Sequence, residues 1–478
     1  MVFTKSFWIY IIIRNQKALF MEVIMKVCKF GGTSLASAEQ IKKVCEIIVS
    51  DSDRRIVVVS APGKRFSGDT KVTDLLIETA KAFISRGEAS EELSAVVERY
   101  DEICDDLGLD VAVKTKIKLD LGALLELDCS NTNKFTDALK ASGEDNAAKL
   151  TAEYLKKIGY SANYINPKDA GLFLSDEFGS ARVLNRSFNN LKKYFSIINS
   201  ISIFPGFFGY SPDGSVVTFS RGGSDITGSI LAAAINADVY ENFTDVNSVF
   251  AANPKIIDNP APISEITYRE MRELSYAGFT VLHEETLAPV YKAGIPVNIR
   301  NTNNPNSPGT MIVPSREVYG NVVAGIAGDR GFCSVYVSKY LMNREIGFGR
   351  KLLQIFEEEG LAYEHTPSGI DDISVILRES NFTTDIEEKI TARIKNELNI
   401  DSISVIRDSA MIIIVGEGMR YNLGISSKAT SALARAGINI EMLNQGSSEI
   451  SIMIGVKGSD CEKAIKAIYN EFFSSEKP

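Results

Sequence analysis

Met25-Lys26-Val27-Cys28-Lys29-Phe30-Gly31-Gly32-Thr33-Ser34 runs strand-forming residues straight into two glycines. The run reads as the first strand of a domain, closed by a glycine turn. Working outward, Val57-Val58-Val59-Ser60 is a second short apolar run bounded by Ala61-Pro62-Gly63, and Thr73 to Ser85 follows with helical spacing. Ala148–Ile158 repeats the helical pattern and Ser196–Ile203 the strand pattern, with Phe204-Pro205-Gly206-Phe207-Phe208-Gly209-Tyr210 as a turn-rich loop. Such alternation predicts an α/β domain on a mostly parallel sheet with crossover helices. Upstream, the apolar run Phe7-Trp8-Ile9-Tyr10-Ile11-Ile12-Ile13 has seven residues. A bilayer span needs ~20, and no small-residue cleavage site follows. Residues 1–24 are therefore read as an N-terminal extension placed ahead of the native start.

At 478 residues, and roughly 100–200 per domain, two to four domains are expected. Hydrophobic residues at 45% and charged ones at 24% exclude a disordered, collagen-like or membrane-embedded chain. The 52 basic and 61 acidic residues leave a net charge of −9. With no block of five Lys/Arg, neither nucleic acid nor an anionic membrane is the expected partner, and small molecules are. Cys28, Cys45, Cys104, Cys129, Cys333 and Cys461 form no C-x-x-C pair, and the two histidines are His283 and His365. This argues against a zinc site or a disulfide framework and for a reducing cytoplasm.

The breaker-rich stretch Asn301-Thr302-Asn303-Asn304-Pro305-Asn306-Ser307-Pro308-Gly309 marks the end of the first domain. Beyond it, strand Ser334–Val337, helix Gly347–Glu359, strands Leu361–His365 and Ile373–Leu377, helix Thr384–Leu398 and strand Ser402–Ile406 spell βαββαβ, a ferredoxin-like unit. A second copy starts at Met411–Val415 and continues through Ser426–Ala436, Asn439–Leu443, Ile450–Val456 and Cys461–Phe473, one strand short. Asn321–Ile326 supplies that strand. The expected domains are thus 25–312, then 319–328 with 408–475, with 329–407 inserted between those two pieces.

Three clusters carry chemistry. Lys29-Phe30-Gly31-Gly32-Thr33-Ser34 sets a cation beside glycines whose backbone N–H groups can approach an anion. Taken alone it matches an ordinary strand-to-helix turn, since its spacing is not that of a Walker loop. Arg221-Gly222-Gly223-Ser224-Asp225 precedes an apolar helix, where a helix N-terminus attracts anions and an arginine suits a carboxylate. Asp225 also suits a plain capping role. Asn242-Phe243-Thr244-Asp245-Val246-Asn247-Ser248-Val249-Phe250 follows strand Asp238–Tyr240, and polar groups at strand carboxyl ends are where open α/β sheets bind ligands.

In this order, the first cluster, Ser142-Gly143-Glu144, the second cluster, Phe243-Thr244-Asp245-Val246 and Val281-Leu282-His283 resemble the aspartate kinases of the amino-acid kinase superfamily. Gly437-Ile438-Asn439-Ile440-Glu441-Met442 and Gln445-Gly446-Ser447-Ser448-Glu449-Ile450 resemble that family's second ACT motif, so the likeness runs from Met25 to the C-terminus. The resemblance implies an amino-acid kinase fold, an α/β/α sandwich, followed by two ferredoxin-like ACT domains. It implies ATP-dependent phosphorylation of the L-aspartate β-carboxylate with Mg²⁺ held mainly by the ATP phosphates. Lys29 and Asp225 are then catalytic, Ser60, Thr73, Glu144, Arg221 and Ser224 bind substrate, and Gly31, Gly32, Thr244, Asp245, Phe250 and Lys255 face the nucleotide. It also implies feedback inhibition, with L-lysine first and threonine, or both, as alternatives. Met342, Gly347, Phe348, Glu364 and Asp372 are the candidate effector residues, and a homodimer or higher homo-oligomer forms through the ACT domains. Gly278-Phe279-Thr280 departs from the family's Gly-Ala-Lys, Asn253-Pro254-Lys255 from Asp-Pro-Arg, and Ser248 stands where Gly is common. An inactive amino-acid sensor and another kinase of the superfamily are the competing readings, and His283 is read as structural.

Overall fold

Lys26–Phe30 forms strand β1, and four of its five residues are buried, as expected of a strand covered on both faces. The computed structural model describes residues 24–220, 222–276, 278, 279, 284–317, 322–446, 448 and 450–474. Its contacts divide the chain into Met1–Val249 with Leu282–Pro314, and Phe250–Val281 with Ser315–Pro478. Residues 250–281, read from the sequence as part of the first domain, thus group with the C-terminal part of the chain.

In the first unit β1 is followed by α1 (Ala38–Val49), β2 (Arg54–Val59), α2 (Val72–Arg86), α3 (Ser90–Leu107), α4 (Val111–Leu124) and α5 (Thr132–Lys157). Next come β3 (Ala162–Tyr164), α6 (Arg186–Phe195), β4 (Ile201–Pro205), β5 (Phe208–Tyr210), β6 (Val216–Thr218), α7 (Gly223–Ile235), β7 (Val239–Thr244), β8 (Val297–Asn301) and β9 (Thr310–Val313). These strands lie in the order β9-β8-β7-β1-β2-β4-β3, parallel apart from β9, which runs against β8. The hairpin β5–β6 stands apart from that sheet. β1 sits where the strand order reverses, with β2 on one side and β7 on the other, and such a switch point opens a crevice at the strand carboxyl ends.

The helix read at Ala148–Ile158 is only the last part of α5, which starts at Thr132. Buried Asp137, Ser142, Gly143 and Glu144 on its inner face hide the apolar periodicity. The strand read from Ser196 begins at Ile201, because α6 runs to a buried Phe195 and Ser196 caps it. Within the loop read at 204–210, Phe208–Tyr210 pairs with β6.

Glu241, in the middle of β7, is 2% exposed. It accepts from Arg54 Nε at 2.6 Å, Arg54 Nη2 at 3.1 Å and Arg300 Nη1 at 2.8 Å. Both guanidinium groups also lie 5.4 Å from the Phe243 ring centroid, and that ring stacks on Phe30 at 4.7 Å. Burial pushes the Glu241 carboxyl up, but the two arginines outweigh it and hold the group below the usual range.

The second unit holds α8 (Tyr268–Tyr276) and an antiparallel sheet of β10 (Gly325–Ser338), β11 (Asp372–Arg378), β12 (Ser402–Val415), β13 (Met442–Gln445) and β14 (Ser451–Lys457). Its strand order is β11-β10-β12-β14-β13, and it carries α9 (Phe348–Glu358), α10 (Thr384–Leu398), α11 (Ile425–Arg435) and α12 (Cys461–Phe473). Gly325–Arg330 pairs with Ala410–Val415, whereas Ser334–Ser338 pairs with both Ser402–Ile406 and β11. The strands read separately at 321–326 and 334–337 are therefore one strand from Gly325, with a register shift after Arg330; residue 321 lies outside the described residues. Leu361–His365 forms no strand. Gly360 turns left-handed behind α9, Leu361 N–H returns to Phe356, and only two backbone bonds tie 364–365 to Ile376. Fully buried Glu270 joins this unit's segments, accepting from Thr267 N–H, Glu417 N–H and Arg316. Among the described residues, no helix is long and apolar enough to cross a membrane.

Glu241→Ala leaves two arginines without their buried carboxylate. It is expected to cost about 3–5 kcal/mol near neutral pH in urea unfolding. Because the folded carboxyl titrates below its unfolded value of about 4.3, the stabilisation is present above that pH and lost below it, so the deficit should narrow in acid.

Candidate active site

Lys29 lies one residue before the end of β1, opposite Asn242 of β7 in the parallel register. Its side chain is buried, with Nζ 2.6 Å from Asp225 Oδ1. Asn242 Nδ2 donates to the same oxygen at 2.7 Å, and Tyr240 Oη donates to the Asp225 carbonyl at 3.2 Å. Burial, followed by the Asp225 charge, keeps the Tyr240 hydroxyl protonated and therefore a donor. Asp225 occupies the first turn of α7, which reaches the sheet because Gly228 lies flat on Tyr240: a Cβ there would come within 2.7 Å of three ring or hydroxyl atoms. A buried cation, its carboxylate and a helix N-terminus thus meet at the open end of the sheet, an arrangement suited to a polyanion.

The glycine turn differs in part from its reading. Gly31 N–H donates to the Phe243 carbonyl at 3.2 Å, so this donor serves the sheet rather than an anion. Gly32 accepts from Gly63 N–H at 2.8 Å, and a Cβ on Gly63 would lie 2.6 Å from the Gly32 carbonyl carbon. The two turns pack backbone to backbone. Half-buried Ser60 follows β2 with its N–H on the Phe30 carbonyl, and half-buried Thr73 stands in the first turn of α2.

Glu144 faces this corner from α5. Its neighbour Gly143 packs on Ala61, Val72 and Leu76 and accepts from Tyr100 Oη at 2.6 Å. The Glu144 side chain is buried, and Oε2 has no hydrogen-bond partner. Burial pushes its carboxyl up to about 8 against the Ala61 N–H, its own N–H and the Lys140 charge. An unpaired buried carboxyl is costly, and an ammonium ion is the complement that would ionise and satisfy it.

Of the other readings, Ser224 is buried beside Asp225. Thr244 ends β7, its hydroxyl 3.2 Å from exposed Asp245. Phe250 and the exposed Lys255 fall in the second unit. Arg221, Thr280 and His283 lie outside the described residues. Asn242 and Tyr240 received no role from the sequence, although the position of Asn242 opposite Lys29 follows once β1 and β7 are known to pair. Among the described residues, no group of three His, Cys, Asp or Glu side chains is placed to hold a metal ion.

The effector candidates separate. Asp372 lines a cavity of about 370 Å³ with Ser334, Tyr336, Met411 and Glu441. Met342 and Phe348 are core residues, and Gly347 caps α9 in the left-handed conformation. Glu364 is engaged by the Tyr276 hydroxyl and by Arg378 at 3.4 Å.

The Amino acid kinase family matches residues 25–301, and an ACT domain matches 412–472. Aspartokinase 3 of Bacillus subtilis (strain 168) is 55% identical over 450 residues, covering 94% of this chain and 99% of that protein. The chain belongs to the aspartokinases. Aspartokinase 3, chloroplastic, of Arabidopsis thaliana is 29% identical over 464 residues, covering 94% and 82%. The crystal structure of Clostridium acetobutylicum aspartate kinase superposes with a TM-score of 0.81 at 38% identity, covering 94% of this chain and all of that one. Escherichia coli aspartokinase III shares the fold at 24% identity and a TM-score of 0.75. This aspartokinase is an ATP-dependent aspartate kinase, with an α/β kinase domain followed by ACT domains.

Two substitutions test the cluster. Lys29→Ala should lower kcat by on the order of 10²-fold or more, as for loss of a preorganised charge donor. Asn242→Ala should lower it by roughly 10-fold through loss of one bond to a charged group. Both are read by coupled ADP release.

Proposed function

We propose that this aspartokinase transfers the γ-phosphoryl group of MgATP to the β-carboxylate of L-aspartate, giving 4-phospho-L-aspartate and ADP. The observation carrying this reading is the placement of the Lys29–Asp225–Asn242 cluster at one sheet end that also receives α5 with its unpartnered Glu144 oxygen. An aspartate side chain with a pKa near about 3.9 is already an anionic nucleophile and needs no general base. One of its oxygens forms the new P–O bond as the bond from γ-phosphorus to the bridging oxygen breaks, and ADP leaves with that electron pair. Lys29 screens the two approaching anions, and Asp225 and Asn242 hold its ammonium in line. Glu144 takes the substrate ammonium and Arg221 its α-carboxylate, while Ser60, Thr73 and Ser224 line the pocket. Gly32, Thr244 and Asp245 face the nucleotide, and Phe250 and Lys255 join them on the sequence motif alone. Magnesium is proposed to be carried by the nucleotide phosphates, where it neutralises charge.

The reaction is proposed as the first step of lysine, threonine and methionine synthesis in the cytoplasm, inhibited by L-lysine at the ACT domains of a homodimer. Asp372 and Glu441 give the 370 Å³ cavity an acidic wall suited to a diamino acid. Exposed Tyr340, Leu341, Ile346 and Ile370 support self-association of that unit. The Clostridium acetobutylicum relative is itself described as an important allosteric enzyme.

Trapping the acyl phosphate with hydroxylamine alongside coupled ADP release tests both parts. Aspartate-dependent hydroxamate that falls on adding L-lysine is expected. ADP release without hydroxamate would overturn the acceptor, and inhibition by threonine alone would overturn the effector.

A further inference from the structure

We propose that Arg99 is a positioning residue for L-aspartate, fixing from α3 the loop that joins Ser60 to Thr73 and with it the wall of the amino-acid pocket that these two residues form. The inference rests on the reading of Ser60 and Thr73 given above. The Arg99 side chain is 3% exposed. A single nitrogen, Nη2, donates to Asp69 Oδ2 at 2.6 Å, to the Thr70 carbonyl at 3.0 Å and to the Gly63 carbonyl at 3.4 Å. One donor thus gathers both ends of the loop at residues 63–71.

The Thr73 end depends on it. Helix α2 has Lys71 at its N-cap and no side chain capping it, although Ser, Thr, Asp or Asn is what normally fixes a first turn. The chain is held instead one residue earlier, at the Thr70 carbonyl, and Val72 N–H closes the base of the loop on the Pro62 carbonyl at 3.1 Å. Thr73, the second residue of α2, inherits that entry. The Gly63 end is held twice, since Gly63 N–H also bonds to the Gly32 carbonyl.

Other residues of α3 brace the same corner. Glu102, one turn beyond Arg99, accepts from Arg65 Nη1 at 2.6 Å, and Arg65 in turn donates to Asp69 from Nε at 3.0 Å and from Nη2 at 3.1 Å. Tyr100 bonds to the Gly143 carbonyl beside Glu144. A single helix therefore holds the wall of Ser60 and Thr73 as well as the wall of Glu144. Stability alone accounts for little of this. Residues 64–68 are exposed, Phe66 at 62%, so their release uncovers little apolar surface. Arg99 Nη1 is buried without a hydrogen-bond partner, a cost that the fold by itself gives no reason to carry.

A clip that merely stabilised the chain would lower the unfolding midpoint and leave the kinetics alone. In Arg99→Met, Asp69 keeps Arg65 as its partner. Coupled ADP release should then show KM for L-aspartate raised roughly 10-fold, with kcat and KM for ATP changed by less than about twofold. Because all three bonds come from one nitrogen, Arg99→Lys should bring KM back to within about threefold of the wild type. Asp69→Asn weakens the clip from the loop side; it should raise KM by about threefold, and it carries the test should Arg99→Met not fold. Ser60→Ala and Thr73→Val should each raise the same KM. An unmoved KM in both of these overturns the reading of the pocket wall. A KM raised there but unmoved in Arg99→Met, or in Asp69→Asn where that variant is read, overturns the role of Arg99 alone, and so does an equal rise in KM for ATP.

Discussion

A charged lysine buried at the end of a β-strand cannot stand alone, and much of the first unit follows from meeting that requirement at Lys29. Desolvating an unpaired ammonium costs several kcal/mol, so Asp225 must arrive within ion-pair distance. That fixes where α7 begins and how closely it lies on the sheet, which in turn demands glycine at position 228 against Tyr240. Asn242, in register across from Lys29, holds the same Asp225 oxygen, so β7 has to be the neighbour of β1. The strand-order reversal at β1 and the polar crevice beside it are two aspects of one arrangement.

Charge is handled differently a few residues away. Glu241 is surrounded by two arginines and an aromatic ring, a buried network with its charges matched, and it stiffens the middle of the sheet. Glu144 has no such company. One group is satisfied by the fold and the other keeps a buried oxygen without a hydrogen-bond partner, the contrast on which the proposed ammonium site rests.

Much of this was legible in advance. The strand ending at Phe30, the helix at Thr384–Leu398 and the one at Cys461–Phe473 follow from local pattern, because apolar periodicity and glycine punctuation act over a few residues. The first half of α5 was not, since its inner face carries Asp137, Ser142 and Glu144 instead of leucines. Leu361–His365 looked like a strand by composition, but its backbone partners are set by the closure of α9, which no window of sequence contains. Lys29 and Asp225 were legible as types in motifs, whereas Asn242 gains its meaning only from cross-strand register. The contacts of Glu364 with Tyr276 and Arg378 are likewise visible only in the folded chain.

The two 14-residue strands β10 and β12 each pass through both ferredoxin-like repeats, paired along their length and shifting register near Gly331. No cut between the repeats can therefore avoid severing two strands in mid-course. The repeats resemble modules in their order of elements, yet they cannot be traded as modules. Recombination or grafting that exchanges one repeat for a relative's would have to replace the whole five-stranded sheet, so any change in what the regulatory unit recognises must be reached residue by residue.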